Sequence, residues 1–326
     1  MTASRDQFGR AIEYLRISVT DKCNFRCLYC MPAEGLQWLP KSEILSYEEI
    51  FGIVTQLAEA GVSRLRITGG EPTIRPQLDV LIAKLRSIPQ ITDIALSTNG
   101  VRLAELAGKY RAAGLDRVNM SVDSLRPERI AAIARRSIPF DPRVAAAAAE
   151  RAGLGPIKLN VVVMRGINDD EIADFARLTL DHAWHVRFIE LMPVGDMREL
   201  TWDHVVPSSE VLERAAIVGS LAPAGNAPVG NGPAQYYAFD GAPGSIGVIT
   251  PMTHTYCAKC NRVRLTADGR LRTCLFGDHE VNLRDPYRNG DELAPLFLRA
   301  LAEKPQEHAL LQMKTGGLRA LSQVGG

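Results

Sequence analysis

Cys23, Cys27 and Cys30 stand in the stretch Cys-Asn-Phe-Arg-Cys-Leu-Tyr-Cys, a CxxxCxxC spacing. A structural zinc site normally closes with four Cys or His ligands. This run stops at three, with no His within ten residues on either side. Three thiolates around a 4Fe–4S cube leave one iron without a protein ligand, and an open iron can be chelated by a small molecule bearing an amine and a carboxylate. A zinc knuckle that borrows a distant ligand, or three unrelated buried thiols, are the plainer alternatives.

A second group lies far along the chain. Cys257 and Cys260 form a CxxC, and Cys274 follows after thirteen residues. The CxxC alone is a weak signal, shared with zinc ribbons and thioredoxin-like sites. Between these cysteines, Asp268-Gly269 separates two β-like runs, a strong hairpin signal. A two-residue turn pairs Cys274 with Val263, three residues from Cys260, so the three sulfurs can converge. Arg262 and Arg264 alternate and share a strand face, and simple parity places Cys274 on the opposite face unless a bulge intervenes. His254 could close a Cys3His zinc site, and His279 is a further candidate. Two groups of three suggest two clusters, each with an open iron.

The elements that must position these groups show a regular rhythm. An apolar run at 14–20 leads straight into the first cysteines, and a helix is expected over 46–60, with an acidic first turn and Gly61 as its stop. Short β-rich runs follow at 64–68, 91–97, 117–122, 157–163 and 186–191, with helix-like segments near 77–86, 103–113, 143–151 and 170–180. Strands alternating with helices predict a parallel sheet. Small and polar residues gather after each strand, for example Gly69-Gly70-Glu71-Pro72 and Thr98-Asn99-Gly100, at the strand ends where α/β folds place their sites. Beyond residue 220 the composition changes. A Pro- and Gly-rich loop over 222–233 precedes β-like runs at 235–239, 245–250, 262–267 and 270–275, then helices near 292–303 and 306–313.

The chain has 326 residues, 46% hydrophobic and 23% charged, with 38 basic against 37 acidic side chains. That balance excludes a nucleic-acid binder working through bulk charge, so an acidic ligand must be held by local placement of Arg and Lys. The start is polar, without the apolar core of a signal peptide, and no apolar run approaches the ~18 residues of a membrane span. Six clustered cysteines do not resemble a secreted disulfide framework. The expected compartment is the reducing cytoplasm.

The CxxxCxxC loop, with Tyr29 before its last cysteine, resembles that of the radical S-adenosylmethionine (SAM) enzymes. The resemblance narrows with Cys257-Ala-Lys-Cys260-Asn-Arg262-Val-Arg264 through Cys274, and with Arg66-Ile-Thr-Gly-Gly70-Glu-Pro, Ser97-Thr98-Asn-Gly, Ser121-Val-Asp-Ser-Leu, Lys158-Leu-Asn-Val and Glu190-Leu-Met192-Pro. Across nearly the whole chain these are similar to the GTP 3′,8-cyclases of molybdenum cofactor biosynthesis, the MoaA family. The implied fold is a partial (β/α)6 TIM-type barrel over 1–220, with a C-terminal domain over 221–326 carrying a small antiparallel sheet, a second Fe–S site and a Gly-Gly tail. Radical SAM relatives that act on peptides have more cysteines in this extension.

The resemblance implies that Cys23, Cys27 and Cys30 hold the first 4Fe–4S cluster and carry the catalytic chemistry, and that Cys257, Cys260 and Cys274 hold the second. It assigns Tyr29, Gly70, Ser121 and Met192 to SAM, the cosubstrate, and Arg16, Arg66, Thr98, Lys158, Arg262 and Arg264 to GTP. The implied reaction runs through a 5′-deoxyadenosyl radical that takes hydrogen from ribose C3′ of GTP, after which C3′ bonds to C8 of guanine. Implied partners are an electron donor of the flavodoxin or ferredoxin type and the cyclic pyranopterin monophosphate synthase that receives the product, with a homodimer as an option. For the terminal Gly325-Gly326, a frayed end is the ordinary expectation, and the resemblance implies a tail reaching into the active site. The segment 135–142 is compressed relative to the family pattern and carries no site residue. A two-cluster enzyme acting on a peptide, and a zinc or iron–sulfur sensor without catalysis, are the competing readings.

Overall fold

A computed structural model of the chain describes residues 4–192, 200–225, 232–254, 256–308 and 319–325. Strands β1 (Ser4–Arg5) and β2 (Ala11–Ile12) form a small antiparallel pair. Strand β3 (Tyr14–Ser18) then opens a β/α series. It continues through α1 (Tyr47–Glu59), β4 (Arg64–Thr68), α2 (Leu78–Arg86), β5 (Asp93–Thr98), α3 (Leu103–Ala112) and β6 (Arg117–Ser121). After α4 (Pro127–Ala134) and α5 (Pro142–Arg151) come β7 (Lys158–Val163), α6 (Ile172–Asp181) and β8 (His185–Glu190). Helix α1 begins with a capping box in which the Ser46 hydroxyl accepts from the Glu49 N–H and the Glu49 carboxylate accepts from the Ser46 N–H.

The six strands β3 to β8 pair in chain order, all parallel. The alternation predicts the parallel sheet, and six strands in this order agree with the partial barrel that the resemblance implies. Past α7 (Ser208–Ala215), the C-terminal part extends it at both edges. On one side β11 (Ser245–Ile249) lies parallel to β8 and carries the antiparallel strands β10 (Gln235–Phe239) and β9 (Leu221–Pro223). On the other, β12 (Arg262–Leu265) lies parallel to β3 and carries the antiparallel strands β13 (Arg270–Arg272) and β14 (Glu280–Asn282). The antiparallel strands of the extension therefore join the same twelve-stranded sheet. Helices α8 (Arg284–Arg288) and α9 (Ala294–Ala302) complete the described elements.

Two expectations need correction. The loop read at 222–233 begins as part of β9, and 226–231 lie outside the described residues. The helix read at 306–313 is not formed over 306–308, and the rest falls outside the described residues.

Alternate side chains divide each strand between two environments. Leu15, Ile17, Leu65, Ile67, Ile94, Leu96, Leu159, Val161, Val186 and Phe188 are all buried in the main apolar core. The intervening positions are mostly polar: Tyr14 and Arg16, Arg64 and Arg66, Arg117 and Asn119, Lys158 and Asn160, His185 and Arg187. Parallel strands covered on both faces usually read as continuous apolar runs. This alternation gives the barrel a polar lumen, suited to a ligand.

Candidate functional site

The loop after β3 is fastened to its surroundings by main-chain bonds. Arg26 N–H donates to Ala134 O at 2.8 Å and Leu28 N–H to Ile133 O at 3.1 Å, so the C-terminal end of α4 supports the first cysteine group. Within the loop, Cys30 N–H donates to Cys27 O at 2.9 Å and Phe25 N–H to Cys23 Sγ at 3.4 Å. Burial pushes the Cys23 thiol up to about 12 and the Cys30 thiol up to about 11. Cys27 is also raised, by burial first and then by Asp123 and the neighbouring thiols. Each sulfur thus lies within the field of the others, in a site that disfavours bare thiolates; three thiols so grouped can ligate a cluster, which must displace their protons.

The Gly69-Gly70-Glu71 turn after β4 laces onto this loop. Gly70 N–H donates to Thr20 O at 2.7 Å, and Glu71 N–H donates to Lys22 O at 2.8 Å. Glu71 is buried and accepts from the Thr73 N–H and hydroxyl, the Thr98 hydroxyl and the Asn99 N–H. The Thr98 side chain, expected to meet the substrate, is therefore committed to Glu71, leaving its main chain for any ligand. Tyr29 donates its hydroxyl to Asp123 Oδ2 at 2.7 Å, while Val162 N–H donates to Asp123 Oδ1 at 2.9 Å. Ser121 and Met192 line the same cavity as Tyr29 and Gly70.

Sheet register builds a cationic wall opposite. Pairing of β12, β3 and β4 aligns Arg264, Arg16 and Arg66 in one row, and Arg262, Tyr14 and Arg64 in the next. Burial, followed by neighbouring guanidinium groups, lowers Arg16 well below its usual value and Arg264 to about 10. Burial alone would raise the Tyr14 hydroxyl, but Arg66, Arg16, Arg117 and Arg262 outweigh it and hold it low. Lys158, the first residue of β7, is buried beneath this wall and not among the residues that line the cavity; burial and then Arg187, Arg117 and Arg66 depress it to about 6. Tyr14 Oη, Arg66 Nε, Arg117 Nε, Asn119 Nδ2 and Arg262 Nε are buried with no hydrogen-bond partner among the described residues. Of these, Tyr14, Arg66 and Arg262 line the cavity, where unsatisfied donors are costly in an empty site and suit a polyanion.

Arg187, which the strand-end reading missed, belongs to this wall. Its Nε donates to Asn160 Oδ1 and its Nη2 to Asn119 Oδ1, both at 2.8 Å. Alternation along β6, β7 and β8 was the available signal for Asn119, Asn160 and Arg187. The cavity holds about 1590 Å³ of empty space, counting its open mouth, and reaches from Cys23, Cys27 and Cys30 to Arg262 and Arg264.

Cys257 and Cys260 sit on the segment that runs from β11, at one edge of the half-barrel, to β12 at the other, and Cys274 follows β13. Cys260 N–H donates to Cys257 O at 3.0 Å, and Arg10 Nη1 donates to the same carbonyl at 2.9 Å. The hairpin beyond differs from the two-residue turn expected. Arg264 pairs with Arg272 and Leu265 with Leu271, so Ala267, Asp268 and Gly269 form a three-residue loop with Gly269 at φ 77°. The register is displaced by one residue, which moves side chains to the other face. Cys274 thereby joins the side of Arg264, which feels both Cys274 and Cys260. Parity had placed them apart.

Cys257 in turn feels Cys274 and Cys260. Neither candidate histidine joins them: His254 is exposed with its Nδ1 against the Thr253 hydroxyl, and His279 faces Glu303 at 3.0 Å. Among the described residues no three Cys, His, Asp or Glu side chains are drawn together around a single ion. A four-iron cube bridges a wider gap than one ion does, and two trios of thiols fit that group.

The tail enters the cavity between the two groups. Arg16 Nη2 and Arg264 Nη1 donate to Gly325 O at 2.9 and 3.0 Å, and Leu321 and Ser322 line the wall. Gly326 lies outside the described residues.

A half-barrel with a three-cysteine loop after its first parallel strand has its counterpart among known proteins. The Radical SAM superfamily profile matches residues 17–179, and the Molybdenum Cofactor Synthesis C profile matches residues 184–310. Streptococcus suis SuiB bound to S-adenosylmethionine shares the fold, with a TM-score of 0.57 at 14% identity over 87% of this chain and 67% of that one. The GTP 3′,8-cyclase of Pelotomaculum thermopropionicum is 45% identical over 99% of this chain and 100% of its own. That of Moorella thermoacetica is 46% identical over 99% and 100%. The chain belongs to the GTP 3′,8-cyclase family of radical SAM enzymes. Its cofactors are 4Fe–4S clusters, two per chain, with SAM as cosubstrate.

Proposed function

We propose that this chain converts GTP to (8S)-3′,8-cyclo-7,8-dihydroguanosine 5′-triphosphate, with Cys23, Cys27 and Cys30 holding the first cluster and Cys257, Cys260 and Cys274 the second. The observation that carries this reading is the single cavity that joins the first cysteine loop to a cationic wall. When bound, the reduced first cluster and SAM supply a 5′-deoxyadenosyl radical. Tyr29, Gly70, Ser121 and Met192 surround the SAM position. Arg16, Arg66, Lys158, Arg262 and Arg264, joined by Arg187, hold the triphosphate, since guanidinium groups fork onto phosphate oxygens. Thr98 contributes its main chain. The second cysteine group orients the purine end, so that ribose C3′ faces the radical source and guanine C8 lies in reach of C3′. Such alignment is worth much of the rate.

On this reading residues 1–220 are the catalytic half-barrel and 221–326 the domain that closes it. The reductant is of the flavodoxin or ferredoxin type, the product passes to the cyclic pyranopterin monophosphate synthase, and the setting is cytoplasmic. A homodimer fits the same reading. Among the described residues no helix is long and apolar enough to cross a membrane.

The test is anaerobic reconstitution with iron and sulfide, then SAM and a strong reductant, with 5′-deoxyadenosine quantified in the presence of GTP, ATP or no nucleotide. Formation that rises with GTP alone, with a cyclised guanosine product, is expected. Formation indifferent to nucleotide would remove GTP as the substrate.

Arg66→Met separates binding from stability. Arg66 makes no ion pair with a carboxylate among the described residues, and its Nε is unsatisfied. Its loss relieves repulsion in the empty wall, so the melting temperature without GTP holds or rises. A charge-assisted hydrogen bond contributes about 1.5–3 kcal/mol, so KM for GTP rises roughly 10- to 150-fold. A lower melting temperature with unchanged KM would make Arg66 a structural residue.

A further inference from the structure

Lys304 lies just beyond α9, and its side chain is almost wholly buried at 2% exposure. Its Nζ is 3.6 Å from Cys260 Sγ and 3.1 Å from Arg262 O, and it also donates to Thr273 O. Three acceptors match the three N–H donors of an ammonium. Two of them are neutral carbonyls. No carboxylate pairs with Lys304 among the described residues, so Cys260 is the neighbour able to carry charge opposite to it. A buried cation without a counter-charge is strongly disfavoured.

The first cysteine group has the opposite surroundings. Glu71 and Asp123 line the cavity beside Cys23, Cys27 and Cys30, and both raise thiols of that group. Cys260 therefore has cations beside it, Lys304 first and then Arg262 and Arg10, where Cys27 has the carboxylate of Asp123.

We propose that Lys304 is a positioning residue for the second cluster: its ammonium, donating to Cys260 Sγ, provides the cluster's fixed counter-charge and raises its reduction potential. This rests on the assignment of Cys257, Cys260 and Cys274 as cluster ligands. Reduction adds one negative charge to a cluster, and hydrogen bonds to the ligating sulfur together with nearby charge set the potential. Lys304 favours the reduced state because it approaches a ligand sulfur directly, from a buried position of its own. The same side chain ties the segment after α9 to the start of β12 and to Thr273, the residue just beyond β13.

The experiment is a redox titration of the reconstituted full chain, followed by electron paramagnetic resonance. It compares the unaltered protein with Lys304→Met and Lys304→Arg, and uses Cys27→Ser to assign the second cluster's signal. In Lys304→Met the second midpoint moves negative by at least tenfold in the reduction equilibrium, about 59 mV for one electron. The first midpoint stays in place, and Lys304→Arg restores the second. An unchanged second midpoint in Lys304→Met, with both signals present, overturns the proposal. Loss of the second signal from Lys304→Met alone supports it, because charge is then needed to keep the cluster. Loss from both variants overturns it in favour of shape. Should the unaltered protein bind iron for one cluster only, the ligand assignment itself falls, an outcome distinct from either.

Discussion

Gly70→Ala is expected to empty the first cluster site while leaving the second loaded. The requirement for glycine here is one of space, since Gly70 is not among the glycines with positive φ. A Cβ on Gly70 would lie 2.2 Å from Lys22 O, 2.5 Å from Lys22 C and 2.7 Å from Asp21 O. All three are main-chain atoms, so no side-chain rotation relieves the clash. The crowded residues immediately precede Cys23, and the two loops are laced by the bonds from Gly70 to Thr20 and from Glu71 to Lys22. Relief must come from displacing the cysteine loop. Overpacking of this kind costs typically ~1–3 kcal/mol, which a chain of this size can survive, whereas a shift of ~1 Å at a reacting centre can cost on the order of 10²-fold in rate. The expected result is a folded protein with about half the iron and sulfide of the unaltered chain, and 5′-deoxyadenosine formation lower by ~10²-fold or more. Iron at both sites with normal SAM cleavage would show that the loops yield without moving Cys23.

Close backbone approach at Gly70 is legible in the sequence, but its partner is not. A Gly-Gly turn after a strand signals that something comes near, and the resemblance names SAM. The fold adds a second close neighbour, Lys22, nearly fifty residues earlier. The same limit applies to the sheet. The rhythm of β3 to β8 could be read because each strand and helix carries its own periodicity over a short window. The docking of β12 on β3 could not, since Arg264 and Arg16 meet only through the register of strands from opposite ends of the chain. Helices α4 and α7 escaped notice although α4 opens with Pro127 and Glu128; each is only eight residues long, a short window for periodicity.

In the site itself, the first cysteine group was legible because its spacing is local. The second was legible in composition but not in orientation, because one extra residue in the loop at Gly269 reverses the face of Cys274. The missing part of the cationic wall, Arg187 with Asn119 and Asn160, had a signal of its own. Polar residues at every second position of parallel strands are exceptional in a sheet covered on both faces, and here they mark the lumen. Attention to the strand ends alone, where α/β sites usually lie, passes over residues that point inward from the strands' middles.

Lys158 should bind a proton when GTP binds. Its depressed value, about 6, follows from burial first and then from Arg187, Arg117 and Arg66. The groups around it come from several strands. Asn119 of β6 and His185 of β8 pair with it directly, Arg187 follows on β8, Arg117 lies on β6 and is paired with Asp93, and Arg66 faces it from β4. His185 is itself lowered to about 4, by burial before Lys158 and Arg187, and stays neutral. At pH 7.5 the empty protein therefore holds Lys158 largely as the amine. A triphosphate brings negative charge to the same wall and raises the pKa, so binding draws a proton from solvent. By linkage, GTP affinity falls as pH rises above about 6, approaching tenfold per pH unit until the pKa of the complex is reached. Calorimetric titration of GTP in buffers of different ionisation enthalpy should show uptake approaching one proton near pH 7.5, and Lys158→Met should abolish both the uptake and this pH dependence. Uptake that persists in Lys158→Met would place the proton on another group, the triphosphate included. Binding without uptake in the unaltered protein would mean that its neighbours already keep Lys158 charged, and that the wall tolerates more positive charge in its empty state than its geometry implies.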